Sequence, residues 1–312
     1  MSCTRFILFA ASTALLLSWS LIVVAQETEP TQRTIPEFYE GLRATGAGSS
    51  HVALATGTDA IYQNPAGVAR APMYVVDGAF SFTPQGAILS AGAADSKLNP
   101  QFAGAIAYNY FFGHSDHDNL SGHDVRGVLA VPVVPERVSI GVGVRYLRIT
   151  DTDLPEIEDE DGNTSQILFS GFSVDAGIVI RAADILHLGL TAQNFPDRCS
   201  NNPDCQGATP TRISGGFGLG DETAFMASGE ATLDLTSGDT PMVDFGVGAE
   251  YMIAGVIPIR AGFERRAFLD RNMLSVGAGW RSEQAGIDFS YRHDLQLPRE
   301  FGYVAGGFSV YF

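Results

Sequence analysis

Alternation of apolar and polar residues is the feature that most limits how this chain can fold. It is clearest between residues 243 and 251, where every second residue is apolar and the residues between them are acidic or glycine. A period of two places successive side chains on opposite faces of a β-strand. Each such segment therefore predicts a strand with one apolar and one polar face, and the pattern returns in 257–264, 274–281 and 287–292.

Strand-like segments of this kind fill the chain from Met73 onward, and we count about fourteen. Their spacing suits membrane-spanning strands of roughly 9–11 residues. The predicted strands are 73–83, 86–94, 101–111, 123–134, 137–150, 166–181, 184–194, 211–220, 222–235, 242–253, 256–266, 271–281, 284–293 and 302–312.

Alternation alone fits both a soluble β-sandwich and a membrane barrel, because the two differ only in which face meets water. The connections favour the barrel. Very short ones at 135–137, 182–183, 220–222, 254–255 and 282–283 alternate with longer ones at 112–122, 151–165, 195–210 and 294–301. Short turns at one end and long loops at the other are typical of outer-membrane barrels.

Aromatic residues and the last residue favour the barrel as well. With the short turns facing the periplasm, aromatic side chains collect near both membrane interfaces, as an aromatic belt requires. Tyr251, Trp280 and Tyr311 fall at the periplasmic end, and Tyr110, Tyr146 and Tyr291 at the outer end. The chain stops on an alternating strand ending in Phe312, which resembles the signal read by the outer-membrane assembly machinery. The fold class we predict is all-β, a transmembrane antiparallel β-barrel of about 14 strands.

The N-terminus predicts export. Arg5 precedes an apolar run over 6–24, and small residues at 23–25 suit cleavage before Gln26. The alternative is a membrane anchor, but the polar run that follows favours a cleaved signal peptide over 1–25. A formal net charge of −16 argues against nucleic acid as a partner.

Residues 41–72 differ from everything that follows them. They are rich in Gly, Ala, Ser and Thr, show no sustained period, and contain turn chemistry at Asn64, Pro65 and Gly67. A fourteen-stranded barrel is wider than one that side chains alone can fill. We therefore expect a flexible lead-in over 26–40, a hatch inside the lumen over 41–72 and the barrel over 73–312; an ordinary surface turn is the alternative for Asn64–Gly67.

The same stretch carries a family resemblance. Ala60 followed by Asn64, Pro65, Ala66 and Gly67 resembles the A-x-x-x-NPAG element in the hatch of the FadL and PorV/PorQ superfamily of outer-membrane barrels. The segments 260–266, 275–281 and 286–295 look like its closing strands. The chain is closer in length to the PorV/PorQ proteins than to a fatty-acid transporter.

The resemblance implies two functions of different kinds. One is an interaction barrel of the PorV/PorQ type that serves protein secretion. The other is a passive carrier of small hydrophobic molecules. The alternative is a transporter of long-chain fatty acids or other hydrophobic compounds with hatch-gated lateral release. The partners expected are outer-membrane lipid, lipopolysaccharide and the assembly machinery, with either secretion components or small hydrophobic ligands.

The inward strand faces combine both signs of charge. The arginines are candidates for holding a ligand carboxylate if one of them is unpaired, whereas mixed charges also simply pair and line a wet lumen. The predicted inward arginines are Arg126, Arg145, Arg260, Arg281 and Arg292. The predicted inward acids are Asp175, Glu230, Asp244, Glu250, Glu264 and Asp288.

Cys199 and Cys205 are the two cysteines left after signal cleavage, and in an oxidising compartment they predict a disulfide. Two loops have residue types that bind metals, but their spacing matches neither a zinc motif nor an EF-hand, so solvated loops are the favoured interpretation. They contain His114, Asp116, His117, Asp118, His123 and Asp124, and Glu158, Asp159, Asp161 and Asn163. No catalytic motif is present, and we expect neither an enzyme nor a cofactor.

Overall fold

The computed structural model describes residues 38–99, 101–113, 120–152, 157–158, 164–199, 205, 207–296 and 302–312. The predicted signal peptide and most of the predicted lead-in lie outside these residues. No helix in the described part of the chain reaches the length and apolarity that a membrane-spanning helix needs.

Fourteen antiparallel strands form a closed barrel, which confirms the predicted fold class. Each strand pairs with its neighbours in sequence, and the first closes onto the last through Val75 opposite Tyr311. The strands are β1 Tyr74–Phe82, β2 Gly86–Asp95, β3 Ala103–Gly113, β4 Leu120–Val134, β5 Val138–Asp151, β6 Ile167–Ala183, β7 Leu186–Phe195, β8 Arg212–Asp221, β9 Phe225–Asp234, β10 Met242–Ile253, β11 Ile257–Arg266, β12 Arg271–Arg281, β13 Ala285–Asp294 and β14 Tyr303–Tyr311.

The barrel is apolar outside and polar inside. Side chains such as Ile106, Leu129, Phe172 and Phe289 are more than half exposed on the outer face, whereas Asp288 and Arg292 are buried on the lumen face. A soluble protein would place these faces the other way round. An outward apolar band is what contact with membrane lipid requires.

The two ends of the barrel differ as the connections predict. One end, here called the turn end, carries tight connections such as Pro135–Arg137 and Ala254–Val256, together with Tyr74 and Phe312. The opposite loop end carries the longer connections, including a short hairpin that pairs Ile157–Glu158 with Thr164–Ser165. Phe312 contacts Tyr74 with ring centroids 5.1 Å apart, so the last residue lies at the closing seam.

One predicted aromatic position differs from the structure. Tyr311 was expected in the aromatic belt at the periplasmic end, but its side chain packs against the core that lies inside the barrel. Its neighbours Val310 and Phe312 are exposed on the outer face. Because side chains alternate between the two faces of a strand, Tyr311 points inward when Val310 and Phe312 point outward.

Candidate functional site: the lumen

Residues 38–72, here called the N-terminal segment, occupy the space within the strands. The segment contains two short helices, α1 (Leu42–Gly46) and α2 (Ala60–Gln63), and a 3₁₀ helix (Pro65–Ala69). Helix α1 contacts β11–β14, whereas the 3₁₀ helix contacts β3–β6 on the other side of the barrel. Among the described residues the packed segment begins at Phe38, three residues before the predicted boundary, with Tyr39 buried.

Asn64 ties the segment to the barrel wall. Its side chain is fully buried, and its amide nitrogen donates to the carbonyl oxygens of Val52 (2.9 Å), Ile178 (3.2 Å) and Leu190 (3.4 Å). Its Oδ1 accepts from the backbone nitrogen of Ala66 at 3.1 Å, which caps the 3₁₀ helix that Pro65 begins. One side chain therefore fixes the local turn and joins it to two strands.

Glycines on the lumen face let the segment approach the wall closely. A Cβ at Gly141 would lie 2.5 Å from the backbone nitrogen of Ala66, which is closer than atoms can approach. Gly262 in β11 is equally close to the backbone of Ala47 and Gly48. The inward glycines thus make room for backbone, as glycine does wherever two chains meet.

The lumen face of β10–β13, here called the charged wall, holds α1 by ion pairs. Arg43 donates from Nε and Nη2 to the two oxygens of Glu250, at 3.1 and 2.9 Å. Glu250 also accepts from Arg260 Nε at 2.5 Å, and Arg260 Nη1 donates to Asp288 at 2.6 Å. These groups are buried, so their pairing is needed to offset the loss of hydration.

A second ion-pair cluster lies on the same wall. Glu40 of the segment accepts from Arg266 at 2.6 Å and from Arg292 at 3.2 Å. Both arginines also contact Glu264. Burial raises the pKa of Glu40, but the Arg266 and Arg292 guanidinium groups outweigh burial and hold it at about 2. Glu40 is therefore charged at neutral pH.

The lumen face of β2–β6, here called the apolar wall, has the opposite character near the loop end. Its side chains point inward and are nearly fully buried: Ile88, Phe111, Leu120, Leu147, Ile149 and Phe169. Phe38 packs against this cluster, of which Tyr39 is a member. The cavity between them is about 10 Å³, roughly the room that one water molecule needs. The segment's own aromatic rings close this pocket.

One charge cluster borders the apolar pocket. Arg126 and Arg145 both donate to Asp124, with distances of 3.0–3.2 Å. The Arg126 guanidinium lies 5.0 Å from the Tyr62 ring centroid, and that of Arg145 lies 4.7 Å from Phe38. Both cations are thus held by a carboxylate and by an aromatic face from the segment.

The five predicted arginines all lie on lumen-facing positions, and four of them are in the ion pairs described above. Arg281 is different: within the described ranges it has no ion pair, and its Nε has no hydrogen-bond partner. It is the last residue of β12, at the turn end, whereas the apolar pocket lies at the loop end on other strands. Of the five arginines, the one without an ion pair in the described part of the chain is therefore at the opposite end from the apolar wall.

The remaining predicted acids face the lumen but bond mainly to backbone. Asp175 accepts from the Asn194 nitrogen at 2.7 Å, Glu230 from Val52 at 3.0 Å and Asp244 from Ala267 at 2.6 Å. Asp59 of the segment lies near Asp77, whose carboxylate accepts from the Thr58 hydroxyl. Burial, together with the charge of Asp77, raises the pKa of Asp59 to about 7.

Cys199 and Cys205 are joined by a disulfide, with Cα atoms 5.4 Å apart. Of the first metal-type loop, His123 and Asp124 are described, and they point to opposite faces of β4. His114, Asp116, His117 and Asp118 lie outside the described residues, as do the side chains of Glu158, Asp159, Asp161 and Asn163. Among the described residues, no group of three metal-binding side chains comes together.

Comparisons with solved structures find barrels of the same shape. The CymD monoaromatic hydrocarbon channel matches with a TM-score of 0.58 and 11% identity, over 87% of this chain and 98% of that one. The Pseudomonas putida toluene transporter TodX matches with a TM-score of 0.57 and 10% identity, over 90% and 98%. A Pseudomonas aeruginosa FadL homologue matches with a TM-score of 0.56 and 13% identity, over 90% and 98%.

This chain has the fold of those channels. No family model and no curated protein matches its sequence. At such low identity the likeness establishes a FadL-type fold and nothing finer. It agrees with the FadL part of the resemblance carried by Asn64–Gly67, and it does not show the PorV/PorQ part.

The apolar wall is the part of the lumen that the sequence analysis missed. The inward residue Phe111 is flanked by the outward aromatic residues Tyr110 and Phe112, so the period of two fades there. A strand with apolar residues on both faces could have indicated this wall, because the inner face of a water-filled barrel is polar.

Proposed function

We propose that this chain is an outer-membrane barrel that carries small hydrophobic molecules passively, with the N-terminal segment as its hatch. In this proposal the protein is exported with a cleaved signal peptide over 1–25 and assembled through the terminal Phe312. The observation that carries the proposal is the apolar wall: six large apolar side chains that face inward at the loop end. The FadL-type fold supports it, because matching proteins are named as channels for hydrocarbons and toluene.

The physical argument starts from what covers the apolar wall. Leaving it open to water would cost about 25 cal/mol for each Å² of apolar surface. Phe38 and Tyr39 of the segment remove that surface from water. An apolar molecule entering from the loop end would compete with these rings for the same surface. It would favour a displaced segment to the extent that its own contacts with the wall replace those of the rings.

The charges near the pocket favour an uncharged ligand. Asp124 accepts hydrogen bonds from both Arg126 and Arg145, and Asp175 supplies a second negative charge near the two guanidinium groups. Phe38 covers the Arg145 guanidinium. Within the described residues, a ligand carboxylate at this level would meet cations that already have a partner. Neutral apolar or aromatic molecules are therefore the substrate class we propose, ahead of fatty acids.

The test is entry of the apolar fluorescent probe N-phenylnaphthylamine into cells with an intact outer membrane. Expression of the wild-type chain should raise the rate of entry above that of empty-vector cells. Phe38→Ala should raise it further, since it removes the ring that closes the pocket, and Leu147→Asp should lower it. Phe289→Ala is the matched control, because that ring is exposed on the outer face.

A second, hydrophilic probe separates transport from leakage, and its entry should not change with Phe38→Ala. Rates equal to the empty vector for both wild type and Phe38→Ala, in a correctly assembled barrel, would overturn the transport proposal.

A second candidate is an interaction barrel of the PorV/PorQ type that transports nothing. One observation favours it: the cavity between the segment and the apolar wall is only about 10 Å³, so the segment fills this part of the lumen. A failed probe assay with an assembled barrel would favour this candidate. Its own test is binding of secretion components to the rim of the loop end, with the wild-type chain reconstituted in lipid.

A further inference from the structure

We propose that the outer wall of β2–β6 is a binding site for one lipid A molecule of the outer leaflet, with its phosphate on Arg148. The inference rests on the membrane placement proposed above and not on transport. Two independent features carry it: a basic and aromatic cluster at the loop end, and an apolar groove that descends from it.

Arg148 is an unusual residue for the lipid-facing side of a barrel. It lies on β5, three residues from the loop end, at an outward position between Leu147 and Ile149, which point inward. Its counterpart on another strand, Arg265, forms an ion pair with Asp270. Among the described residues the Arg148 side chain has no ion pair and no hydrogen-bond partner. A cation at this depth is stabilised by a nearby counter-charge, and the described part of the chain supplies none.

Groups able to bind a phosphate surround Arg148 on the same face. In the strand register, His123 lies opposite it on β4 and Ser170 lies opposite it on β6. The Tyr108 hydroxyl and His123 Nδ1 are 2.8 Å apart, and the Tyr146 hydroxyl lies 3.0 Å from Ser170 Oγ. Tyrosines at this level mark the membrane interface, where headgroups lie. A planar guanidinium binds phosphate with two parallel hydrogen bonds.

The groove begins at the same two tyrosines. Its upper part, of about 570 Å³, is lined by Tyr108, Tyr146 and Phe172 among others. Its lower part has the same volume and continues past Leu129 and Val142 to Tyr74 at the turn end. Small outward residues form its floor: Ala93, Gly104 and Gly127. The groove is therefore an apolar channel in the lipid-facing surface, which begins beside the cation.

Lipid A fits Arg148 and the upper part of the groove, since the acyl chains of one leaflet cover about half of the roughly 30 Å hydrocarbon core. It carries phosphate groups at the membrane interface and several acyl chains below them, and the loop end is the outer side in the proposed orientation. Arg148 supplies the complementary charge, on a protein whose formal net charge is −16. Zwitterionic lipid would fill the groove but would leave the guanidinium without a net counter-charge.

The test measures lipid retention by native mass spectrometry of the detergent-solubilised full chain. The probes are diphosphorylated lipid A, dephosphorylated lipid A, phosphatidylglycerol and phosphatidylcholine. Wild type should retain diphosphorylated lipid A preferentially. Arg148→Gln should weaken that binding by about tenfold or more, as expected for one charged hydrogen-bonding group, and Arg148→Lys should restore part of it.

Two matched pairs sharpen the result. Arg265→Gln removes an outward arginine that already has Asp270 as partner, and should leave binding unchanged. Gly127→Val fills the groove where an added Cβ would come no closer than 4.0 Å to another atom, so the barrel should fold and retain less lipid A. Gly215→Val is its control on the outer face of β8, with the nearest atom at 3.7 Å.

Binding to Arg148→Gln as tight as to wild type would overturn the proposal. Equal retention of phosphatidylglycerol and diphosphorylated lipid A would overturn lipid A as the source of the phosphate. A chain that is soluble and monomeric without detergent would overturn the membrane placement itself, which separates that failure from the other two.

Discussion

On the charged wall the N-terminal segment is held by Arg43 and Glu40, each of which forms ion pairs with buried groups of the barrel. On the apolar wall it is held by the amide of Asn64, by backbone fitted against Gly141, and by the rings of Phe38 and Tyr39. One chain segment therefore meets two surfaces of different chemistry in a single lumen.

The difference matters for how the segment would move. Breaking a buried ion pair leaves unpaired charge and costs about 3–5 kcal/mol, whereas an apolar ligand can replace apolar contacts with little net loss. In the proposed transport, the apolar wall is therefore the side from which a hydrophobic molecule would displace the segment. The charged wall would keep α1 in place while that happens.

Deleting residues 41–66 removes Arg43, Asn64 and the backbone that fits against Gly141, and should have the largest effect. We expect a conductance in planar bilayers well above that of the intact protein, because the space within the strands would fill with water. Asn64→Ala is the comparison: its net loss is about 0.5–1.5 kcal/mol per hydrogen bond, and it should assemble normally. Equal conductance of wild type and a correctly assembled deletion would show that the segment does not block the lumen.

Glu250→Gln tests the charged wall alone. It removes the carboxylate shared by Arg43 and Arg260 and should lower the free energy of unfolding by about 3–5 kcal/mol. Urea titration in lipid vesicles measures this. Glu230→Gln is the matched control, since its side-chain oxygen accepts from the Val52 nitrogen and an amide oxygen can do the same. If both variants lose the same free energy, the ion pairs contribute nothing specific.

Gly141→Ala tests the apolar wall and should have the smallest of these effects. The new Cβ would collide with the backbone of Pro65 and Ala66, so the segment must shift, at a cost of about 1–3 kcal/mol. Gly143→Ala lies two residues along the same strand and face, where the added atom would sit 3.4 Å from Asp175. Thermal unfolding should show a loss for the first variant only; matching losses would mean that close approach at Gly141 is unimportant.

Much of the barrel follows from local pattern. The predicted strand 242–253 coincides with Met242–Ile253, and 166–181 differs from Ile167–Ala183 by one residue at the start and two at the end. Alternation and turn residues are local properties, so they can be seen without knowing which strands become neighbours. The start of β4 at Leu120 was placed three residues late, because Ser121 and Gly122 look like loop residues.

Pairing inside the lumen could not be predicted in the same way. Arg43 and Glu250 are 207 positions apart, and which acid meets which arginine depends on the register of every strand between them. The inward direction of Arg145 was readable from alternation. Its partner Asp124 was not, since it lies on the neighbouring strand and was assigned to the first metal-type loop instead of the inward acids.

The closing seam has a consequence for how the molecule is made. Val75 pairs with Tyr311, so the cylinder cannot close until the last residues of the chain are in place. The N-terminal segment precedes β1 directly and is joined to the wall at Asn64 and Arg43. It can be enclosed as the sheet wraps around it, without being threaded through a finished opening. With the segment as the proposed hatch, closing the barrel and plugging it would be one event, without an open intermediate.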